Sequence, residues 1–188
     1  MKLKQLLKKE LTSKELAILP SSFDLVGDIL IFNDFPVELK KKEKVIGKVI
    51  LDNFTNIKVI TRKSKKYSGK YRTPTLRIIA GERRKLTVHK ENAIRLSVNP
   101  ETAYFSSRTS TERKRIFKLI KPNESVLVMF SGIAPLPVTI SKNSLAKEIY
   151  AVEINPHAHK FAEENVKLNK INNVTLFNGD VTAILPTI

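Results

Sequence analysis

The sequence predicts an α/β chain in two parts: a basic, mixed α+β module, then the first half of a doubly wound parallel sheet. Two observations carry this expectation. Charge is divided unevenly: residues 1–123 hold 29 Lys and Arg against 12 Asp and Glu, a net charge of +17, whereas residues 124–188 hold 5 lysines against 6 acidic residues. The hydrophobic pattern changes near Lys121-Pro122, from short alternating runs to buried apolar runs interleaved with helical periodicity. The expected organisation is a helical segment over 1–20, a basic module with a linking helix over 21–122, and a partial sheet domain over 123–188.

The elements are expected in this order. In "MKLKQLLKKELTSKELAIL", Leu3, Leu6, Leu7 and Leu11 share one helical face, and no cleavage pattern of a secretory signal is present. "SSFDLVGDILIF" reads as one strand with a glycine inside it. "PVELKKKEKVIGKVILDNF" reads as a helix with Pro36 at its start. "NIKVITR" is a strand, and "KSKKYSGKYRT" a basic loop or hairpin tip. "TLRIIAGERRKLTVHKENAIRLSVN" gives two or three strands, with turns at Ala80-Gly81-Glu82 and Lys90-Glu91-Asn92, so the first sheet is expected to be antiparallel. "TSTERKRIFKLI" is a helix stopped by Lys121-Pro122. "SVLVMF", "AKEIYAVEI" and "NVTLF" are strands, the first of them buried. "APLPVTISKN" and "NPHAHKFAEENVKLNKI" are the helices between them, the second capped by Asn155 with Pro156 at its first position. Strand–helix alternation of this kind implies βαβ units and a parallel, Rossmann-like sheet.

Ligands of such sheets sit beyond the carboxyl ends of the strands. Three landmarks fall there: the turn Phe130-Ser131-Gly132-Ile133-Ala134-Pro135, then Glu153, then Asp180 in "NGDV". Gly132 allows close approach of a ligand to the backbone, Glu153 can accept from both hydroxyls of a ribose, and Asp180 can meet an adenine amino group. A single glycine in place of G-x-G-x-x-G is poorly suited to a pyrophosphate on a helix N-terminus. It suits an adenosine ligand without phosphates, and S-adenosylmethionine is the common one.

"YFSSRTSTERKRI", residues 104–116, has two readings. Thr109-x-x-Glu112 matches a capping box, with Arg113, Lys114 and Arg115 as a phosphate-contacting face. Alternatively Glu112 is a general base held at a helix start among arginines.

Together "YFSSRTSTERKRI", "VLVMFSGIAP", "YAVEINP", "ENVKLNKINNVTLFNGD" and the strand "FDLVGDI" resemble the archaeal and eukaryotic tRNA (guanine(37)-N(1))-methyltransferase family, on a class I S-adenosylmethionine-dependent methyltransferase fold. The resemblance covers Ser21 to Val181. It implies that Glu112 takes the N1 proton of guanine, that Arg72 steadies charge on O6, and that Tyr104, Arg108 and Arg113 hold substrate or the loop beside it. It implies S-adenosylmethionine bound by Phe130, Gly132, Ala134, Pro135, Glu153, Asn155 and Asp180, and tRNA as the partner.

The chain departs from the family pattern in its cofactor loop, where Ala134 stands in place of a second glycine. Its N-terminal extension is short, and the pattern ends after a third strand where seven are usual. The chain is therefore expected to be the N-terminal part of an enzyme, completed by a missing segment or a partner chain. Two other readings remain: a wybutosine-pathway aminocarboxypropyl transferase on the same fold, disfavoured by Ser107-Arg108-Thr109 where those enzymes tend to show S-G-N, and a tRNA-binding module without catalysis. The chain has no cysteine and three histidines, of which His157 and His159 do not share a helix face, so no metal site is expected. With no apolar run long enough to span a bilayer and no targeting signal, a cytoplasmic location is expected.

Overall fold

The computed structural model describes residues 3–188, the side chains of residues 65–68 excepted. Two compact units emerge: Met1–Ser68 with Pro74–Lys85, and Gly69–Thr73 with Leu86–Ile188.

The first unit begins with two short helices, α1 (Leu3–Leu6) and α2 (Ser13–Ile18). The expected single amphipathic helix is broken at Thr12, whose hydroxyl accepts from the Glu15 backbone N–H at 3.3 Å while the Glu15 carboxylate accepts from the Thr12 N–H at 2.8 Å, a complete capping box. Leu7, Leu11 and Leu19 are buried beneath these turns.

"FDLVGDILIF" forms two strands, not one. β1 (Phe23–Val26) pairs antiparallel with β2 (Ile29–Phe32), and Gly27 turns the chain at φ 55°. All four residues of β2 are buried, as befits a central strand. A 3-10 turn (Val37–Lys42) and α3 (Glu43–Asn53) carry the chain over to β3 (Val59–Ser68), which pairs parallel with β2. β4 (Thr73–Gly81) completes the order β1-β2-β3-β4. The sheet is therefore mixed, a correction to the antiparallel expectation: the α3 crossover returns the chain parallel to β2. Part of the expected loop at 63–73 is strand, and the turn itself is confined to Gly69–Arg72; the side chains of 65–68 lie outside the described residues. Phe32, Leu39, Ile46, Ile50 and Ile60 form the core with Leu7. Gly47 faces Ala80, and a Cβ at 47 would overlap that of Ala80, so this mid-helix glycine serves the close approach of α3 to β4.

The second unit opens with a hairpin, β5 (Thr87–Glu91) and β6 (Ile94–Val98). Its two-residue turn places Asn92 at φ 42° and Ala93 at φ 62°, the pair of positive angles a type I′ turn requires. Then follow α4 (Ser110–Phe117), β7 (Ser125–Met129), α5 (Pro135–Asn143), β8 (Glu148–Glu153), α6 (Pro156–Leu168), β9 (Val174–Asn178) and α7 (Val181–Ile184). β7, β8 and β9 pair in parallel in that order, as the alternation predicted. Asn155 caps α6 by accepting from the His157 N–H at 3.0 Å. The expectation of a buried β7 holds for Val128 alone, and Leu127 and Met129 stay 38% and 48% exposed.

The boundary expected at residues 121–124 lies instead at 85–86. The hairpin and α4 belong with the parallel sheet. The Asn165 side chain accepts from the Ser97 N–H at 2.6 Å and donates to the Ser97 carbonyl at 3.1 Å. Asn169 repeats this on Arg95 at 2.9 and 2.6 Å. Two amides one turn apart, one on α6 and one at its C-cap, thus pair with β6 as a neighbouring strand would. Ile116 and Phe117 of α4 pack on Val128, Ile140 and Ile149. With this boundary the first unit carries 19 Lys and Arg against 9 acidic residues, and the second 15 against 9. Both units are basic, and the contrast read from the sequence shrinks because the arginine-rich stretch 108–115 sits in the second.

Candidate cofactor and base site

At the carboxyl ends of β7, β8 and β9 the chain places the three expected landmarks in one unit. Glu153 ends β8, and its two carboxylate oxygens are divided between loops: Oε2 accepts from the Gly132 N–H at 2.7 Å and Oε1 from the Asn155 N–H at 2.8 Å. Its own carbonyl accepts from Gly179 N–H at 3.0 Å and from the Asn178 side chain at 2.8 Å. One residue therefore ties together the turns after all three parallel strands. Each carboxylate oxygen keeps a second acceptor direction for a ligand hydroxyl.

The turn after β7 is built from alternating left-handed residues: Phe130 at φ 58°, Gly132 at φ 58° and Ala134 at φ 60°. Phe130 is 75% exposed, whereas Ala134 is fully buried and stands at the N-cap position just before α5. A Cβ at Gly132 would stand 3.5 Å from the Tyr104 carbonyl oxygen, ordinary contact, so this glycine answers to backbone angle rather than to lack of space. Pro135 is the first residue of α5 and Pro137 the third. Neither has an N–H, and the Ala134 N–H is taken by the Ser131 carbonyl at 3.0 Å. Only Leu136 keeps an N–H for a ligand at that helix end. Such a terminus is a weak anion site, which agrees with a ligand lacking phosphates there.

Ser131 is buried, and its hydroxyl is the one buried side-chain polar atom among the described residues without a hydrogen-bond partner. An orphan of this kind is rare and is found here inside the cofactor turn. The Asn155 side chain donates to the Thr102 carbonyl at 2.9 Å, which ties the segment before Tyr104 to the end of β8. Asp180 caps α7, accepting from the Thr182 N–H at 2.9 Å and its hydroxyl at 2.6 Å. These bonds, with Lys70 adding a smaller attraction, hold its carboxyl below the usual aspartate range. Its charge is secured, and one oxygen is left for a donor such as an amino group.

The base candidate behaves differently from the capping reading. Thr109 precedes α4 at φ −90° and ψ 9° and makes no cap hydrogen bond; its hydroxyl donates to the Ser106 carbonyl at 3.0 Å. The capping box expected at Thr109–Glu112 is absent because a 3-10 turn, Ser107–Thr109, leads into the helix and takes Thr109 out of the extended conformation that a cap needs. Glu112 is exposed on the first turn of α4 and forks onto Arg115, at 2.9 and 2.7 Å. That pairing lowers the Glu112 pKa.

Arg113 is buried and forms a staple. Its guanidinium meets both Glu91 oxygens at 2.5 and 2.6 Å, the Thr109 hydroxyl at 2.5 Å and the Ser106 carbonyl at 3.1 Å. The Phe105 ring lies 5.4 Å away. Four of its five N–H donors have partners inside the protein, so Arg113 holds the loop between Phe105 and α4, the second of its two expected roles, and is not presented to substrate. Tyr104 and Arg108 are exposed on the same segment, and Arg72 is exposed in the Gly69–Thr73 tip at φ 48°. No group of three or more potential metal ligands is found among the described residues, and no helix there is long and apolar enough to cross a membrane.

Sequence reasoning missed Glu91, Ser131 and Asn165. Asn165 is fully buried, and beyond its β6 bonds it donates to the Ile133 carbonyl at 3.0 Å, so it joins the hairpin to the cofactor turn. The one available signal was Asn165 and Asn169 at i, i+4 on the apolar face of "ENVKLNK", where polar residues of that kind mark a buried partner.

Two family models meet at the observed break between units: "TYW2 N-terminal domain" matches residues 3–84 and "TRM5/TYW2 methyltransferase domain" residues 87–187. The Pyrococcus abyssi tRNA (guanine(37)-N(1))-methyltransferase Trm5b is 44% identical over 162 residues, which are 86% of this chain and 48% of that protein. Its crystal structure superposes with a TM-score of 0.82 at 43% identity, covering 90% of this chain and 51% of the other. The structure of aTrm5 in complex with tRNALeu gives 0.79 at 34% identity, covering 93% and 53%. Pyrococcus horikoshii TYW2 in complex with MeSAdo gives 0.75 at 29%, covering 96% and 63%. The chain thus spans about half the length of the curated relatives it matches. With a family model covering more than half of its residues, and a fold that superposes on the solved relative at a TM-score of 0.82, the chain belongs to the TRM5/TYW2 methyltransferase family.

Proposed function

We propose that this chain carries the cofactor and base sites for transfer of a methyl group from S-adenosylmethionine to N1 of guanosine 37 in tRNA. The observation that carries the reading is the Glu153 clamp between Gly132 and Asn155, set beside an α5 terminus with a single free N–H. It is a site for neutral hydroxyls, as on a ribose, and not for a pyrophosphate. Relatives named tRNA (guanine(37)-N(1))-methyltransferase, and a related structure determined with tRNALeu, support the substrate.

When bound, S-adenosylmethionine supplies an electrophilic methyl group. Glu153 would hold the ribose hydroxyls, Asp180 would accept from the adenine amino group, and the Phe130–Pro135 turn would line the pocket. Guanine N1 is not nucleophilic while protonated. Glu112 takes that proton, giving up one Arg115 bond to do so, and Arg72 stabilises the negative charge that moves to O6. Positioning supplies much of the remaining rate.

Titration calorimetry with S-adenosylmethionine, with Glu153→Ala beside the parent chain, tests the cofactor half. Binding that the variant loses is expected, and equal binding by both would sink the assignment. A methylation assay on tRNA with G37, with Glu112→Gln alongside, tests the second half. Transfer of the aminocarboxypropyl group is the second reading, favoured by the TYW2 model over residues 3–84 and disfavoured by Ser107-Arg108-Thr109. The mass added to the tRNA separates the two.

A further inference from the structure

We propose that the groove between α3 and β4 of the first unit is a docking surface for the ribose-phosphate backbone of RNA. It rests on the tRNA reading above for the identity of the RNA and on independent residues for the site. The groove encloses about 780 Å³. Its floor is apolar, from Leu51, Leu76 and Ile79, and exists because Gly47 lets α3 approach Ala80 closely.

The rim is cationic. Lys44 and Lys48, four residues apart and both exposed, project from one face of α3. At 1.5 Å of rise per residue their stems are separated by about 6 Å along the helix axis, comparable to successive phosphates on one strand. Arg83 and Arg77 stand on the opposite wall. Arg83 is held there by its neighbour: Arg84 forks onto Asp28 at 3.0 and 2.5 Å and onto Glu82 at 2.6 Å, which anchors the 82–85 segment. The chain enters that segment through Gly81 at φ 88°, where a Cβ would overlap the Lys58 carbonyl oxygen.

The acids lining the groove do not cancel this charge. Glu43 is buried and spent on Arg62 at 2.5 Å, with Arg77 3.7 Å from its other oxygen. Asp52 alone is exposed among them. A surface with an apolar floor and a row of cations on each wall matches a ribose-phosphate strand better than an apolar peptide, which has no charge to meet the rim.

The test is tRNA binding by the 188-residue chain without cofactor, so that a chain inactive in methyl transfer is still informative. A transcript carrying G37 is titrated against Lys44→Glu/Lys48→Glu/Arg83→Glu and against a charge-matched control, Lys8→Glu/Lys9→Glu/Lys14→Glu, at several salt concentrations. All six positions are exposed, and thermal melts check that both variants fold. The groove variant is expected to bind at least about tenfold more weakly, with the slope of log affinity against log salt reduced by about 3. The milder Lys44→Gln/Lys48→Gln/Arg83→Gln variant should fall between. Equal losses in both sets would reduce the effect to net charge, and an unchanged groove variant would remove the site altogether. Competition by poly-glutamate as effective as by tRNA would also overturn it, since an acidic peptide would then fit equally.

Discussion

Glu112 and Arg115 lie one turn apart on α4 and are joined by two hydrogen bonds, 2.9 and 2.7 Å long. The proposed base is thus already occupied by a cation of its own helix. The pair lowers the Glu112 pKa, mainly through the Arg115 hydrogen bonds. A base of lowered pKa stays ionised to lower pH, so the acidic limb of a pH–rate profile should lie below the ordinary glutamate range. Arg115→Ala is expected to move that limb upward, and a limb that stays put would assign it to another group.

The staple of Glu91 and Arg113 gives a stability prediction. Burial pushes the Glu91 pKa up, and the bonds from His89 and Arg113 more than offset this, so it ends lowered. A lowered carboxylate stabilises the fold above its unfolded pKa of about 4.3 and loses that contribution as pH falls through the folded value. Glu91→Gln should therefore cost about 3 kcal/mol at neutral pH, because it leaves Arg113 buried without its counter-charge. The gap between the parent and the variant should narrow in melts taken below pH 4 or so.

Two glycines with positive φ should respond unequally to alanine. Gly132 has room for a Cβ, so Gly132→Ala meets only the left-handed angle, about 1–2 kcal/mol. Gly81 adds a collision with backbone, and Gly81→Ala should cost more than about 3 kcal/mol. Urea titrations of the two variants measure the difference, and similar costs would contradict the geometry.

Asn165→Ala removes an amide that satisfies the Ser97 N–H and the carbonyls of Ser97 and Ile133. A loss of about 2–4 kcal/mol is expected from the unpaired groups. Weakened S-adenosylmethionine binding should accompany it, because Ile133 belongs to the cofactor turn. Asn169→Ala, which leaves that turn alone, should destabilise the unit while sparing cofactor affinity in calorimetry.

The parallel sheet was legible because its signals are local: apolar runs, Asn155 and Pro156 opening a helix, and Gly132, Glu153 and Asp180 after successive strands. Asparagine side chains that reach from residue 165 to 97 have no local signature, so the break near residue 85 was placed too late. The same T-x-x-E spacing occurs at Thr12 and Thr109 with opposite outcomes. Thr12 is extended, with ψ 162°, and caps its helix; Thr109 is the last residue of a 3-10 turn, with ψ 9°, and does not. Backbone entry angle decided between them, and the four-letter pattern does not encode it. The hairpin at Gly27-Asp28 was missed because two short apolar strands joined by a two-residue turn were read as one run.

The paired amides of Asn165 and Asn169 on β6 bear on how this unit opens. A two-stranded hairpin is marginal by itself, and an outer strand ordinarily exchanges its amide protons readily. Here the outward N–H groups of Arg95 and Ser97 are locked to a helix about 70 residues later in the chain. Their deuterium uptake should follow that of α6 and not that of an exposed ribbon. The hairpin and α6 then unfold as one cooperative block, and the cofactor turn, tethered through Ile133, is released only when that block gives way.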